Sequence, residues 1–294
     1  MAIHSHDAMD WDAQLRRLRD RDELRAPETK RLARELLRPE DRTVVDIGSG
    51  AGGSAAAFAE ALAEPGGSVS IMDSAPELVS EAVARARRSA AAGVHVGSVI
   101  ADAADDELVP AVRSECGGGV DLVFASFVVH HLPDQLAGLR RLAKLLAPGG
   151  RLAVLEAGLQ PRVLPWDVGL GEPGLEERLS AARGEWFRRM RAEMPGSQRL
   201  PAGWSAALSQ AGLCEVHSWS SLIERPPPAS GVVFTAVTRH VEWLREDADQ
   251  QVSDDDLRAL DALLDPQSPY WVGTREDLGY LCVDTVHVGT RPEM

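Results

Sequence analysis

The sequence predicts an α/β fold in which a seven-stranded, mostly parallel sheet carries helices on both faces. Three observations predict it. Short apolar runs alternate with segments of helical periodicity, a glycine-rich turn joins the first run to a helix, and two more apolar runs follow near the C-terminus. Strands that alternate with helices form parallel sheets that are covered on both faces. At 294 residues, the chain can hold such a domain together with insertions.

Five strand-helix units follow an N-terminal helical region. Residues 7–38 carry leucines at helical spacing, and we expect Pro27 to divide them into two helices. Strands are predicted at 43–47, 68–72, 95–100, 121–126 and 151–156, and helices at 54–63, 76–91, 107–115 and 133–146. Two later strands complete the sheet, at 214–223 after a helix at 203–211, and at 280–288 after a short helix at 274–278.

Two stretches of different character interrupt this order. Residues 158–199 are rich in glycine, proline and charged residues, and residues 226–269 begin with three prolines and continue as an acidic helical segment. We predict that both form a helical cap at the sheet edge where ligands bind. The predicted organisation is an N-terminal helical lid at 1–26, a core at 27–157, cap segments at 158–199 and 226–269, a core helix and strand at 200–225, and a closing strand and tail at 270–294.

The net charge of −14 argues against binding to nucleic acid or to an anionic membrane surface. Residues 1–10 lack the apolar stretch of a signal peptide, and the longest apolar runs are too short to span a membrane. The histidines are scattered without ligand spacing, so we expect no metal. We therefore expect a cytoplasmic protein, either a monomer or a homodimer.

A glycine-rich turn, Asp-Ile-Gly-Ser-Gly-Ala-Gly-Gly at 46–53, is the strongest candidate for a ligand site. It follows a predicted strand and opens a helix, where backbone N–H groups point toward a ligand. Spacing alone leaves the ligand open, because Gly48, Gly50 and Gly53 also match the dinucleotide fingerprint GxGxxG, and Asp73 lies 20 residues beyond Gly53.

Polar residues also end the neighbouring predicted strands: Asp46, Asp73, Asp102 and Ser126. With the glycine-rich turn, this pattern resembles the class I S-adenosylmethionine-dependent methyltransferases, which have a Rossmann-like fold. The resemblance extends to Val-Asp-Leu-Val-Phe-Ala-Ser-Phe-Val-Val-His-His-Leu-Pro-Asp at 120–134 and to Leu-Leu-Ala-Pro-Gly-Gly at 145–150. Within the family, it is nearest to small-molecule enzymes of the ubiquinone- and menaquinone-methylating type.

The resemblance implies S-adenosylmethionine as the cofactor and S-adenosylhomocysteine as its product. It implies that Asp46, Gly48 and Gly50 hold the methionine end, that Asp73 binds the ribose, and that Asp102 binds the adenine amino group. The adjoining residues Ser49, Ser74, Ala103 and Ser126 belong to the same expected site.

His130, His131 and Glu156 are the candidate general bases, because they follow the fourth and fifth predicted strands, near the expected methyl group. The two histidines have a second interpretation, in which they only order the loop ahead of Pro133 or contact the adenosine. Methyl transfer from a sulfonium depends largely on positioning, so no fixed catalytic signature is expected.

Six of the seven tryptophans lie after residue 157, and an aromatic-rich cap suits a flat or apolar acceptor. The candidate pocket walls are Arg162, Trp166, Trp186 and Phe187. We expect O-methylation of a small molecule in specialised, natural-product metabolism. Two alternatives stay open: a cyclase or a non-catalytic cofactor-binding protein of the same fold, and a nicotinamide-dependent oxidoreductase.

Overall fold

A computed structural model describes residues 10–62, 66–246 and 252–293 of the chain. The strands in these ranges are β1 Thr43–Ile47, β2 Gly67–Asp73, β3 Val94–Ile100, β4 Val120–Ser126, β5 Leu146–Arg162, β6 Cys214–Arg225 and β7 Tyr280–Thr290. The helices are α1 Trp11–Leu36, α2 Gly53–Ala61, α3 Pro76–Ser89, α4 Leu108–Cys116, α5 Gln135–Ala143, α6 Leu175–Glu193, α7 Trp204–Gln210, α8 Gly231–Glu246 and α9 Asp254–Leu264.

The seven strands form one sheet in the order β3-β2-β1-β4-β5-β7-β6. The first five strands are parallel to their neighbours. Strand β7 runs against β5, because Arg291, just after its end, exchanges backbone hydrogen bonds with Gly149 and Gly150 near the start of β5. The predicted α/β fold with a seven-stranded, mostly parallel sheet is confirmed.

Buried side chains of the central strands alternate between the two faces of the sheet, as the period of two requires. One face packs against α1, α2 and α3, and its buried residues include Val44, Ile71, Phe124, Leu32, Phe58 and Val79. The other face packs against α4, α5 and α7, and its buried residues include Val45, Met72, Val123, Leu108, Leu139 and Leu208. Because both faces are covered, ligands can reach the sheet only at its strand ends.

The N-terminal region is a single helix, so the prediction of two helices divided at Pro27 was wrong. Leu24 is buried on one side of the proline, and Leu32 and Leu36 are buried on the other. Each buried leucine contributes about 1.5 to 3 kcal/mol. Together they outweigh the roughly 3 kcal/mol that an interior proline costs a helix.

The predicted helix at 274–278 was also wrong. A single 3-10 turn, Val272–Thr274, occupies this region instead, and the chain then bends toward β7. Five residues are too few to nucleate a helix unaided. Strand β5 is longer than predicted, because a register shift between Val120 and Leu122 of β4 admits the Pro-Gly-Gly segment at 148–150 into the strand.

The chain divides into two compact units. The first contains the described residues up to Ala157, Pro195–Ser221 and the described residues from Asp284 onward, and the second contains Gly158–Met194 and Leu222–Val283. The second unit holds α6, α8 and α9; its role as a cap stays a prediction. None of the helices in the described part of the chain has the length and apolar character to span a membrane.

Some predictions concern positions outside the described residues. These are residues 1–9 of the lid, residue 63 at the end of the second predicted helix, residues 247–251 of the second cap segment, and residue 294.

Candidate active site

The glycine-rich turn lies between β1 and α2, where the backbone takes conformations that only glycine adopts readily. Gly48 and Gly50 have φ angles of +63° and +53°. A Cβ atom at Gly48 would overlap the Cγ2 methyl of Val128, and one at Gly52 would lie 2.6 Å from the Cα atom of Ala82 in α3. The turn therefore needs glycine both for its backbone angles and for close packing against its neighbours.

Asp46 is the next-to-last residue of β1, and its carboxyl group lies beneath this turn. The residue is 1% exposed, and its Oδ2 atom has no hydrogen-bond partner among the described residues. Burial raises its pKa to about 8, against the opposing hydrogen bond from Ser49, and the charges of Asp22 and Asp73 add to the rise. A buried carboxyl oxygen without a hydrogen-bond partner costs free energy of folding, and a bound cationic group would offset that cost.

Asp73 ends β2, beside β1 in the sheet, and its carboxylate holds the glycine-rich turn. Its Oδ2 accepts the backbone N–H of Gly50 at 3.0 Å, and its Oδ1 accepts that of Ala75 at 3.3 Å. Asp102 follows β3, and its Oδ1 accepts the N–H of Ala104 at 2.8 Å. Three carboxyl groups thus stand at the ends of three adjacent strands, as predicted.

Asp22 of α1 completes the turn, although the sequence analysis gave it no role. Its Oδ2 accepts the backbone N–H of Gly53 at 3.0 Å and an N–H of Arg85 at 2.7 Å. Gly53 is the first residue of α2, and the preceding Gly52 has no side chain to cap the helix. Asp22 therefore caps α2 from another helix. No local motif identifies such a cap, because 31 residues separate donor and acceptor.

The loop after β4 forms the second half of the site. Ser126 is the last residue of β4, and Phe127 follows it with a φ angle of +55°, which is unfavourable for an aromatic residue. The N–H of Phe127 donates to the carbonyl of Leu155 in β5 at 2.9 Å. Non-glycine residues in this conformation cluster at functional sites, where the surrounding structure fixes them.

His130 and Glu156 are in direct contact. The ring Nδ1 of His130 lies 2.6 Å from Oε2 of Glu156, and the backbone N–H of His130 donates to Oε1 at 3.3 Å. Glu156 is 3% exposed, so this hydrogen bond is largely shielded from water. His131 is exposed, and its ring lies 4.0 Å from that of His130, centroid to centroid. Burial lowers the pKa of His287 in β7, and the charge of Glu156 opposes that change.

The sequence around this site is similar to known proteins. Residues 45–152 match the profile of a methyltransferase domain family. The match covers less than half of the chain and makes this stretch similar to methyltransferase domains. The stretch includes the glycine-rich turn, Asp73, Asp102 and the loop after β4.

Two curated methyltransferases share part of the sequence. One is a trans-aconitate 2-methyltransferase from Methylobacterium radiotolerans, 34% identical over 58% of this chain and 62% of the relative. The other is a ubiquinone biosynthesis O-methyltransferase from Xanthomonas axonopodis pv. citri, 35% identical over 40% of this chain and 43% of the relative. The chain therefore spans less than two thirds of the length of either relative.

A solved structure, an O-methyltransferase family protein from Burkholderia thailandensis, is similar with a TM-score of 0.48 and 16% identity, over 92% of this chain and 57% of that one. This likeness says nothing about the substrate.

All nine predicted cofactor residues lie at one edge of the sheet. Asp46, Gly48, Ser49 and Gly50 form the end of β1 and its turn, and the others lie at the ends of β2, β3 and β4, namely Asp73, Ser74, Asp102, Ala103 and Ser126. Their contacts with a cofactor stay a prediction. The described residues contain no group of three or more His, Cys, Asp or Glu side chains arranged to hold a metal ion.

The four predicted pocket-wall residues all lie in the second unit. Arg162 ends β5 and forms an ion pair with Glu177 near the start of α6 at 2.7 Å. Trp166 is 68% exposed. Trp186 and Phe187 lie in the second half of α6, about 13 Å along the helix from Glu177 at 1.5 Å per residue. The structure therefore separates the four residues into two groups, and their role in acceptor binding stays a prediction.

Proposed function

We propose that the protein transfers the methyl group of S-adenosylmethionine to an oxygen atom of a small-molecule acceptor. The observation that carries this proposal is the buried Asp46, whose unpartnered Oδ2 lies under a glycine-rich turn, with Asp73 and Asp102 at the adjoining strand ends. This arrangement places carboxyl groups at the ends of three adjacent strands, where they would bind the ammonium group, the ribose and the adenine amino group of the cofactor. Specialised metabolism is the setting that we propose for the reaction.

The residues of the turn fit the cofactor in charge and in shape. Asp46 would face its ammonium group, and the backbone of Gly48 and Gly50 leaves room for close approach because neither residue has a side chain. Asp73 has carboxylate lone pairs beyond those that accept the N–H groups of Gly50 and Ala75, and these would accept the ribose hydroxyls. When bound, S-adenosylmethionine supplies a methyl group on a positively charged sulfur. This sulfur is a good leaving group when the methyl group is transferred.

The His130–Glu156 pair supplies the base that a hydroxyl acceptor needs. A histidine that donates its Nδ1–H to a carboxylate carries its lone pair on Nε2, and Nε2 would take the proton of the attacking hydroxyl. Glu156 orients the ring and stabilises the imidazolium that results. This geometry favours His130 as the base over the exposed His131.

The first test is titration calorimetry of the protein with S-adenosylmethionine, S-adenosylhomocysteine and NADH. We expect micromolar binding of the first two, lost in Asp73→Ala because the ribose contact and the anchor of Gly50 both disappear. Glu77→Ala, an exposed carboxylate in the first turn of α3, is the matched control and should bind like wild type. Binding of NADH alone would exclude methyl transfer and indicate an oxidoreductase.

A second measurement separates catalysis from cofactor binding. Formation of S-adenosylhomocysteine is followed by mass spectrometry while pools of hydroxylated small molecules are supplied. Methylated product with an O–CH₃ group supports the proposal. Methylation at nitrogen or carbon would correct the acceptor atom.

A further inference from the structure

Arg21 of α1 stands above the loop that carries the candidate base. Its guanidinium carbon lies 5.5 Å from the centroid of the Phe127 ring, a cation–π distance. Arg21 is exposed, yet desolvation is the main cause that lowers its pKa.

The acidic residues near Arg21 are already bonded to other groups. Asp22 accepts hydrogen bonds from Gly53 and Arg85, and Asp284 pairs with Arg25 at 3.0 Å. Within the described part of the chain, Arg21 makes neither a hydrogen bond nor an ion pair, although the charges of Asp22 and Asp284 act on it. Arg21 therefore keeps guanidinium N–H donors that no residue in the described part of the chain accepts.

Arg21 lies over the loop that leads from β4 to His130. The backbone N–H of Phe127, whose ring lies beneath Arg21, donates to the carbonyl of Leu155. Leu155 directly precedes Glu156 in β5. Arg25, whose guanidinium lies 5.8 Å from the same ring centroid, flanks Arg21. The Phe127 ring and the two arginines thus lie on the loop that also carries His130.

We infer that Arg21 binds a carboxylate group of the acceptor, so that the substrates are small hydroxylated organic acids. The inference rests on the proposed function. A guanidinium presents two parallel N–H donors, which match the two oxygens of a carboxylate. The Phe127 ring offers a flat apolar surface for the rest of the molecule.

The test compares acids with neutral analogues of the same shape. The probes are 4-hydroxybenzoate and caffeate, each beside its primary amide, with wild type, Arg21→Gln, Arg21→Lys and Arg16→Gln. Arg16 is an exposed arginine of the same helix and serves as the matched control. Formation of S-adenosylhomocysteine gives kcat and KM, and calorimetry gives the affinity for S-adenosylmethionine in every variant.

We expect wild type to methylate at least one acid faster than its amide. Arg21→Gln should raise the KM for that acid roughly 10- to 100-fold, because a hydrogen bond to a charged group is lost. The effect on kcat should be smaller. Arg21→Lys should raise it less, because the charge remains while the paired donors are lost. Arg16→Gln should match wild type, and S-adenosylmethionine should bind all four proteins alike.

Two results would overturn the inference and leave the proposed function standing. One is cofactor binding with no acid methylated faster than its amide. The other is an Arg21→Gln protein that keeps the wild-type KM for the acid. Failure of wild type to bind S-adenosylmethionine would instead refute the proposed function.

Discussion

The glycine-rich turn and the loop after β4 are two neighbouring strand-end segments that are built in different ways. The turn takes its shape from its own backbone, with glycines at positive φ and a short-range hydrogen bond from the Ser49 hydroxyl to the carbonyl of Asp46. The loop depends on a side chain that is distant in sequence, because Glu156, which is hydrogen-bonded to His130, lies 26 residues after it. The difference teaches that the backbone path of the turn can be read from its glycines, although Asp73 and Asp22 also hold it, whereas the side-chain pairing in the loop depends on tertiary contacts alone.

The largest expected effect disturbs the packing of the turn against the loop. Gly48→Ala places a methyl group against Val128 and forces alanine into a positive φ. The φ angle costs about 1 to 2 kcal/mol, and overpacking costs about 1 to 3 kcal/mol more. We expect a large loss of unfolding free energy, measured by urea denaturation, and loss of S-adenosylmethionine binding.

Two variants separate these causes. Gly50→Ala also has a positive φ, but its Cβ would lie 3.6 Å from Leu18, an ordinary contact, so it should lose only the backbone contribution. The double variant Gly48→Ala, Val128→Ala should regain stability relative to Gly48→Ala alone. If Gly48→Ala and Gly50→Ala prove equally stable, the turn and the loop are not coupled by packing.

The next largest effect concerns the loop alone. His130→Ala should lower kcat roughly 100-fold, the contribution of a general base, and leave the affinity for S-adenosylmethionine within about twofold. Glu156→Gln keeps the shape of the side chain but removes the charge that orients His130, so we expect a smaller loss of kcat. His131→Ala is the matched control. A larger loss of kcat in His131→Ala than in His130→Ala would reverse the assignment of the base.

A smaller effect tests the helix that closes the turn. Asp22→Ala removes the cap of α2 and the partner of Arg85, and it should reduce the unfolding free energy by about 1 to 2 kcal/mol. Glu23→Ala, an exposed neighbour, should have an effect near zero. Equal stability of the two variants would mean that α1 does not hold the turn.

These contacts mark how far the sequence could predict the structure. Alternating apolar periodicity predicted the sheet, and strand-end positions predicted the placement of Asp46, Asp73 and Asp102, because both depend on local sequence. The continuous helix through Pro27 and the cap supplied by Asp22 could not be predicted, since burial and partners from other elements decide them. The pairing of His130 with Glu156 depends on how β4 and β5 align. The sequence marked both residues as candidates without showing that they touch.

The smallest expected effect concerns the proton on Asp46. Its pKa is about 8 in the folded protein, above the ordinary value of 3.8, so the folded state holds this proton more tightly than the unfolded chain. Stability from this group is therefore full below about pH 4 and declines as the pH rises through about 8. A cofactor ammonium would favour the ionised carboxylate, so binding should release a proton at pH 7 and tighten about fivefold between pH 7 and pH 8.

Calorimetry in two buffers of different ionisation enthalpy measures that release directly. Asp46→Asn carries no titrating group and keeps the size of the side chain, so proton release should vanish, the affinity should become independent of pH over this range, and the decline of stability with pH should flatten. Release of a full proton from Asp46→Asn would place the titrating group elsewhere. If the wild-type protein releases none, Asp46 stays protonated under the cofactor and acts as a hydrogen-bond partner, which would make Asp73 the principal anionic group of the turn.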